Sequence, residues 1–175
     1  MLSTIVLAPE PAFASDPAGN LAPLLLRTLA SLVPLAVQGF VGEVWLAAPG
    51  GEATARIADE AGCGLAAAAD GRAALALALA RTRHPWVFVL LGGFAPEAGL
   101  ADEAGDFMLA QPGRAAAMRA APSSFAARLL PSLAPTAGLI MPREKIPPAP
   151  PSDLDRLARS ARPCATLRTP ARKVG

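Results

Sequence analysis

Few residues of this chain combine a reactive side chain with a setting that could use it. Asp153 stands where a Pro-rich stretch, Pro147 to Pro151, gives way to a helical pattern. A carboxylate there can take a proton from a hydroxyl, or it can be a negative charge that favours the positive end of a helix. The helix-end charge is the simpler of the two. Gly50-Gly51 precedes a helical segment and Gly92-Gly93 follows an apolar run. Both pairs can turn backbone amides toward a phosphate. Glu52 opposes an anion at the first pair, and the second is more simply a plain turn. Arg143 can grip a diphosphate through paired hydrogen bonds or simply bond an acidic neighbour. His84, the only histidine, lies between Arg83 and Pro85 and reads as a solvated turn residue. Cys63 and Cys164 have no second Cys or His at zinc-ligand spacing, which leaves a reducing compartment as the default.

The elements that must position these residues alternate. Ser3 to Ala8 is apolar and β-branched and ends at Pro9, as a buried strand would. After a loop, Asn20 can cap a helix over Leu21 to Leu32, with Leu24, Leu25, Thr28 and Leu32 at helical spacing. Glu43 to Ala48 reads as a second strand, closed by Pro49-Gly50-Gly51, and Glu52 to Ala61 as a helix ending at Gly62. Cys63 to Ala67 follows as a third strand, Arg72 to Arg81 as an Ala/Leu helix, and Trp86 to Leu91 as the strongest strand. Such alternation predicts a mostly parallel sheet with helices on both faces. Beyond Gly93 the pattern loosens. A helix is expected from Ala98 to about Gly105, short strands at Phe107 to Ala110 and Ala115 to Ala120, a helix at Ser124 to Leu133, and an apolar run at Gly138 to Met141. Asp153 to Ala161 is expected as a helix capped by Ser152, and no internal repeat is visible.

Composition narrows the function classes. The chain has 175 residues, 53% hydrophobic and 17% charged, enough for one α/β domain with a sizeable core. A net charge of +2 and only 5% aromatic residues, with no Tyr, argue against nucleic acid as a partner. Ala12-Phe13-Ala14 imitates a signal-peptidase site, but no basic residue precedes it and prolines interrupt the short apolar run. No stretch is long and apolar enough for an integral membrane segment. A cytoplasmic protein is the expectation.

The order of segments resembles family 2 glycosyltransferases, inverting enzymes of the GT-A fold. The likeness is carried by Ser3 to Pro9, by Gly42 to Leu46 with Gly50 to Ala58 and Ala61-Gly62, by Gly71-Arg72 and its helix, and by Pro85 to Leu91. Gly138 to Arg143, Asp153-Leu154-Asp155 and Thr169 to Lys173 fall in the order of three later family segments. The resemblance implies a single-domain three-layer, Rossmann-like fold over 1–175, with a nucleotide-binding-like half at 1–95 and a degenerate acceptor-side half at 96–175. It implies a nucleotide diphosphate sugar as ligand, placed against Pro9, Gly50, Gly51, Gly92, Gly93 and Arg143, with Asp153 as the remaining candidate base.

Several family residues are replaced. Ala47 or Ala48 stands in place of the Asp that reads the base, and Leu91-Gly92-Gly93 in place of the metal-binding Asp-x-Asp. Thr136-Ala137 replaces Asp-Gln, and Ser152 replaces the carboxylate before Asp153. A divalent cation needs hard oxygen ligands, so no cofactor is expected here, although active relatives would carry a divalent metal. Two functions follow: a glycosyltransferase-like protein, or an inactive relative that binds a protein partner or a second copy of itself. A nucleotidyltransferase fits less well, because Pro9 to Asn20 lacks a Gly-rich basic phosphate loop.

Overall fold

The computed structural model describes residues 1–14, 20–122 and 134–174. Its strands are β1 (Leu2–Leu7), β2 (Val41–Pro49), β3 (Gly64–Ala68), β4 (Trp86–Leu91), β5 (Phe94–Pro96), β6 (Ala115–Arg119), β7 (Thr136–Pro142), β8 (Cys164–Thr166) and β9 (Ala171–Lys173). The helices are α1 (Glu10–Ala14), α2 (Leu21–Val37), α3 (Glu52–Glu60), α4 (Gly71–Arg81), α5 (Leu100–Ala110) and α6 (Leu154–Ser160). Seven strands form one sheet in the order β3-β2-β1-β4-β7-β6-β8, in which only β7 runs antiparallel to its neighbours. β5 and β9 pair separately as a short antiparallel ribbon.

β2, β1 and β4 are adjacent parallel strands, in keeping with the mostly parallel sheet expected, with Ile5 opposite Trp45 on one side and Val89 on the other. β4 runs through the middle, and Val87, Phe88, Val89 and Leu90 are fully buried. Each such side chain contributes about 1.5–3 kcal/mol relative to exposure. Alternate residues face two cores. Phe88 and Leu90 pack with Leu25, Leu29 and Leu32 of α2, whereas Val87 and Val89 pack with Leu75 and Leu79 of α4 and Leu157 of α6.

Several expectations are corrected. Phe107 to Ala110 is not a strand but the end of α5, which Gly105 does not interrupt. Leu100 and Ala104 anchor that helix in the core, and the Phe107 ring meets Trp86 edge-on at 6.4 Å, so burial outweighs the glycine. α2 runs five residues past Leu32 and includes Pro34, because Leu35 continues its buried stripe. Asn20 occupies its N-cap position without a side-chain capping bond. α6 starts at Leu154, and its cap is Asp153 rather than Ser152. The segment after Pro9 forms the short helix α1 where a loop was expected. The helix expected at Ser124 to Leu133 lies outside the described residues.

Candidate functional site

In a sheet of this topology the chain runs from β1 to one side and returns at β4 on the other, so the crevice beyond the carboxyl ends of β1 and β4 is the natural ligand site. Pro9 and Gly92 flank that crevice. The Pro9 carbonyl accepts the Ala12 amide at 2.9 Å and so opens α1. Gly50 and Gly51 are exposed at the end of β2, with Gly51 as the N-cap of α3. The Thr54 hydroxyl closes the turn on the Pro49 carbonyl at 2.8 Å.

Gly92 and Gly93 are buried, and their amides are engaged within the protein. The Gly92 N–H donates to the Leu7 carbonyl at 2.7 Å. The Gly93 N–H donates to the Thr28 hydroxyl at 2.9 Å, and that hydroxyl donates onward to the Leu24 carbonyl at 3.0 Å. Gly93 has φ +93°, and a β-carbon on it would lie 3.1 Å from Leu24 Cδ1. The glycine turn therefore lets α2 close directly over the end of β4. On its other side the Gly93 carbonyl accepts the Val174 amide at 2.8 Å, as an extension of the β5–β9 ribbon. Leu24 and Val174 thus lie directly beside the turn. Trp45 packs beside Gly64, with the Arg81 guanidinium 5.4 Å from its ring centre.

Asp153 shares this edge of the sheet. Its neighbour Ser152 lies against Gly71, where α4 begins after β3, and Glu10 and Phe13 of α1 border the same glycine. The Asp153 carboxylate accepts the Arg156 amide at 2.9 Å and caps α6. Arg143 is placed elsewhere. Its amide donates to the Pro85 carbonyl at 2.8 Å and its guanidinium bonds the Thr82 carbonyl, at the start of β4. The length of β4, about 17 Å at roughly 3.3 Å per residue, separates Arg143 from Gly92.

A cluster that the sequence did not single out lies farther along the carboxyl edge. Asp155 Oδ1 accepts from Arg119 at 3.0 Å, from the Thr136 hydroxyl at 2.5 Å and from the Thr136 amide at 3.3 Å. It joins α6 to the ends of β6 and β7. In sequence the three are 17 to 36 residues apart, so no local pattern links them. Two other carboxylates are also anchored. Burial pushes Glu43 up, but bonds from Ser3, the Arg83 amide and Trp45, together with the His84 charge, bring it below its ordinary value. Burial likewise opposes ionisation of Glu103, yet the Arg168 amide at 2.6 Å and the Thr169 amide at 2.8 Å hold its carboxyl low. Burial pushes the Cys63 and Cys164 thiols up, so neither is a poised nucleophile.

A divalent cation does not fit the chemistry of the turn after β4. Leu91, Gly92 and Gly93 supply no side-chain oxygen, and among the described residues no three His, Cys, Asp or Glu side chains group to hold a metal.

The sheet order, with helices on both faces and a single antiparallel strand in its second half, is the GT-A fold of glycosyltransferases. Among solved structures, glucosyl-3-phosphoglycerate synthase from Mycobacterium tuberculosis, in complex with manganese, uridine diphosphate and glucosyl-3-phosphoglycerate, is similar at TM-score 0.60 and 19% identity. The match covers 94% of this chain and 68% of that one. Mannosyl-3-phosphoglycerate synthase from Rubrobacter xylanophilus is similar at TM-score 0.57 and 18% identity, over 83% of this chain and 55% of that one. No family model matches the sequence, and no curated protein matches it at a significant level. Among the described residues no helix is long and apolar enough to cross a membrane.

Proposed function

We propose that the chain is a glycosyltransferase-like protein, related to enzymes that move a sugar from a nucleotide diphosphate sugar to an acceptor hydroxyl, in which the transfer step has been lost. Residues 1–95 descend from the nucleotide side and 96–175 from the acceptor side. One observation carries this reading: the turn after β4 is Leu91-Gly92-Gly93, and both glycine amides are bonded internally. In-line transfer develops negative charge on the departing diphosphate, and something must stabilise that charge. This turn offers neither a carboxylate to hold a cation nor a free amide of its own. What remains is a crevice bordered by Pro9 and the exposed Gly50-Gly51, suited to binding and to assembly with a partner.

Thermal-shift titration with uridine and guanosine diphosphate sugars, with and without manganese, tests the reading, because a ligand that binds the native state raises its melting temperature by mass action. Any stabilisation is expected to be independent of manganese, and no sugar is expected to be transferred to 3-phosphoglycerate or another hydroxyl acceptor. Manganese-dependent stabilisation accompanied by sugar transfer would overturn it.

A further inference from the structure

A second cavity lies away from that crevice, along the outer edge of the sheet between α6 and strands β6 and β8. It is an open cavity of about 690 Å³, and its walls include Ala117 and Arg119 of β6, Ala158 and Arg159 of α6, and Arg162 just beyond that helix. Three arginines face one carboxylate, Asp155. That carboxylate is already committed to Arg119 and Thr136. Arg159 and Arg162 are exposed, and among the described residues neither guanidinium takes part in an ion pair or side-chain hydrogen bond. The Nε of Arg119 is buried without a hydrogen-bond partner.

Guanidinium groups present several N–H donors in a plane, a geometry that suits tetrahedral oxyanions. Like charges gathered on one concave wall raise the local potential and draw an anion inward. The small side chains of Ala117 and Ala158 leave room beside the arginines for an organic group. We infer that this cavity binds a small phosphomonoester, its phosphate held by Arg159 and Arg162 and its carbon skeleton against the alanine wall. The inference does not rest on nucleotide binding at the crevice, because the two sites share no residue.

Isothermal titration of the full chain with inorganic phosphate, glycerol 3-phosphate and glycerol tests it. Glycerol 3-phosphate should bind with one-to-one stoichiometry and more tightly than phosphate, and glycerol should not bind. The double variant Arg159→Ala/Arg162→Ala should weaken both anions roughly tenfold or more, because charge-assisted bonds are lost. Arg156→Ala, on the same helix but outside the cavity wall, should leave them unchanged. Circular dichroism should show all variants folded, since the three side chains are exposed. The inference is overturned if neither anion binds at about 10 mM, if the double variant binds as wild type does, or if Arg156→Ala weakens binding equally. A phosphate affinity matching that of the ester would refute the contribution of the alanine wall.

Discussion

Thr28→Val isolates the contact that seals the turn after β4. Thr28 is fully buried on α2, and its hydroxyl is the partner of the Gly93 amide at 2.9 Å. Valine matches threonine in shape, so the change removes the acceptor without opening a void. The Leu24 carbonyl loses only a supplementary bond, whereas the buried Gly93 N–H is left with none. An unsatisfied buried donor costs about 1–3 kcal/mol, which for a domain of this size lowers the melting temperature by roughly 2–4 °C per kcal/mol. Chemical denaturation followed by circular dichroism measures the loss, and amide hydrogen exchange localises it. Gly93 should exchange slowly in wild type and markedly faster in Thr28→Val. Thr28→Ser keeps the hydroxyl and should retain slow exchange at Gly93. A Thr28→Val protein within about 0.5 kcal/mol of wild type, with Gly93 still protected, would refute the argument that the hydroxyl closes this turn.

Asp153→Asn should cost only about 0.3–1 kcal/mol in a denaturant titration, since asparagine still caps but the charge at the helix end is lost; loss of a measurable sugar transfer at unchanged stability would instead make Asp153 a base. Asp155→Asn should destabilise by about 1–2 kcal/mol, more than Asp153→Asn, because one oxygen serves three donors from β6 and β7. Glu103 has its carboxyl held below the ordinary value, so its contribution is complete above the unfolded-state value of 4.5 and disappears as pH falls through the lower folded value. Wild type and Glu103→Gln should therefore differ in stability at neutral pH and converge under acid, and parallel curves down to the lowest pH would contradict the sign.

The first half of the fold was legible because its signals are local. Val87 to Leu90 are apolar on both sides, as a strand buried on two faces must be, and Gly62, with φ +64°, ends α3 where its position suggested. Phe107 to Ala110 was misplaced because a short apolar run fits either period, and only the contact with Trp86 decides between them. β5, β8 and β9 have three residues each, too few for a pattern, and they exist through pairing with distant partners. That the turn after β4 carries no carboxylate was legible in Leu91-Gly92-Gly93 itself. Its closure was not, because nothing near Gly93 in the sequence points to Thr28 or Val174. Arg143 was grouped with the crevice although the antiparallel course of β7 carries it to the opposite edge of the sheet.

The bond from Val174 to Gly93 also sets the order in which the molecule can be completed. These residues are about 80 apart in sequence, and a loop of that length must be closed before the contact repays it. β1, β2, β3 and β4 can associate once Leu91 has been made, but β5 has no partner until Ala171 to Lys173 emerge. During synthesis, therefore, a nearly formed parallel sheet carries an unpaired strand next to its crevice, the kind of exposed edge that favours misassociation in folding intermediates. The ribbon beside the turn after β4 therefore forms only when two segments about 80 residues apart have met.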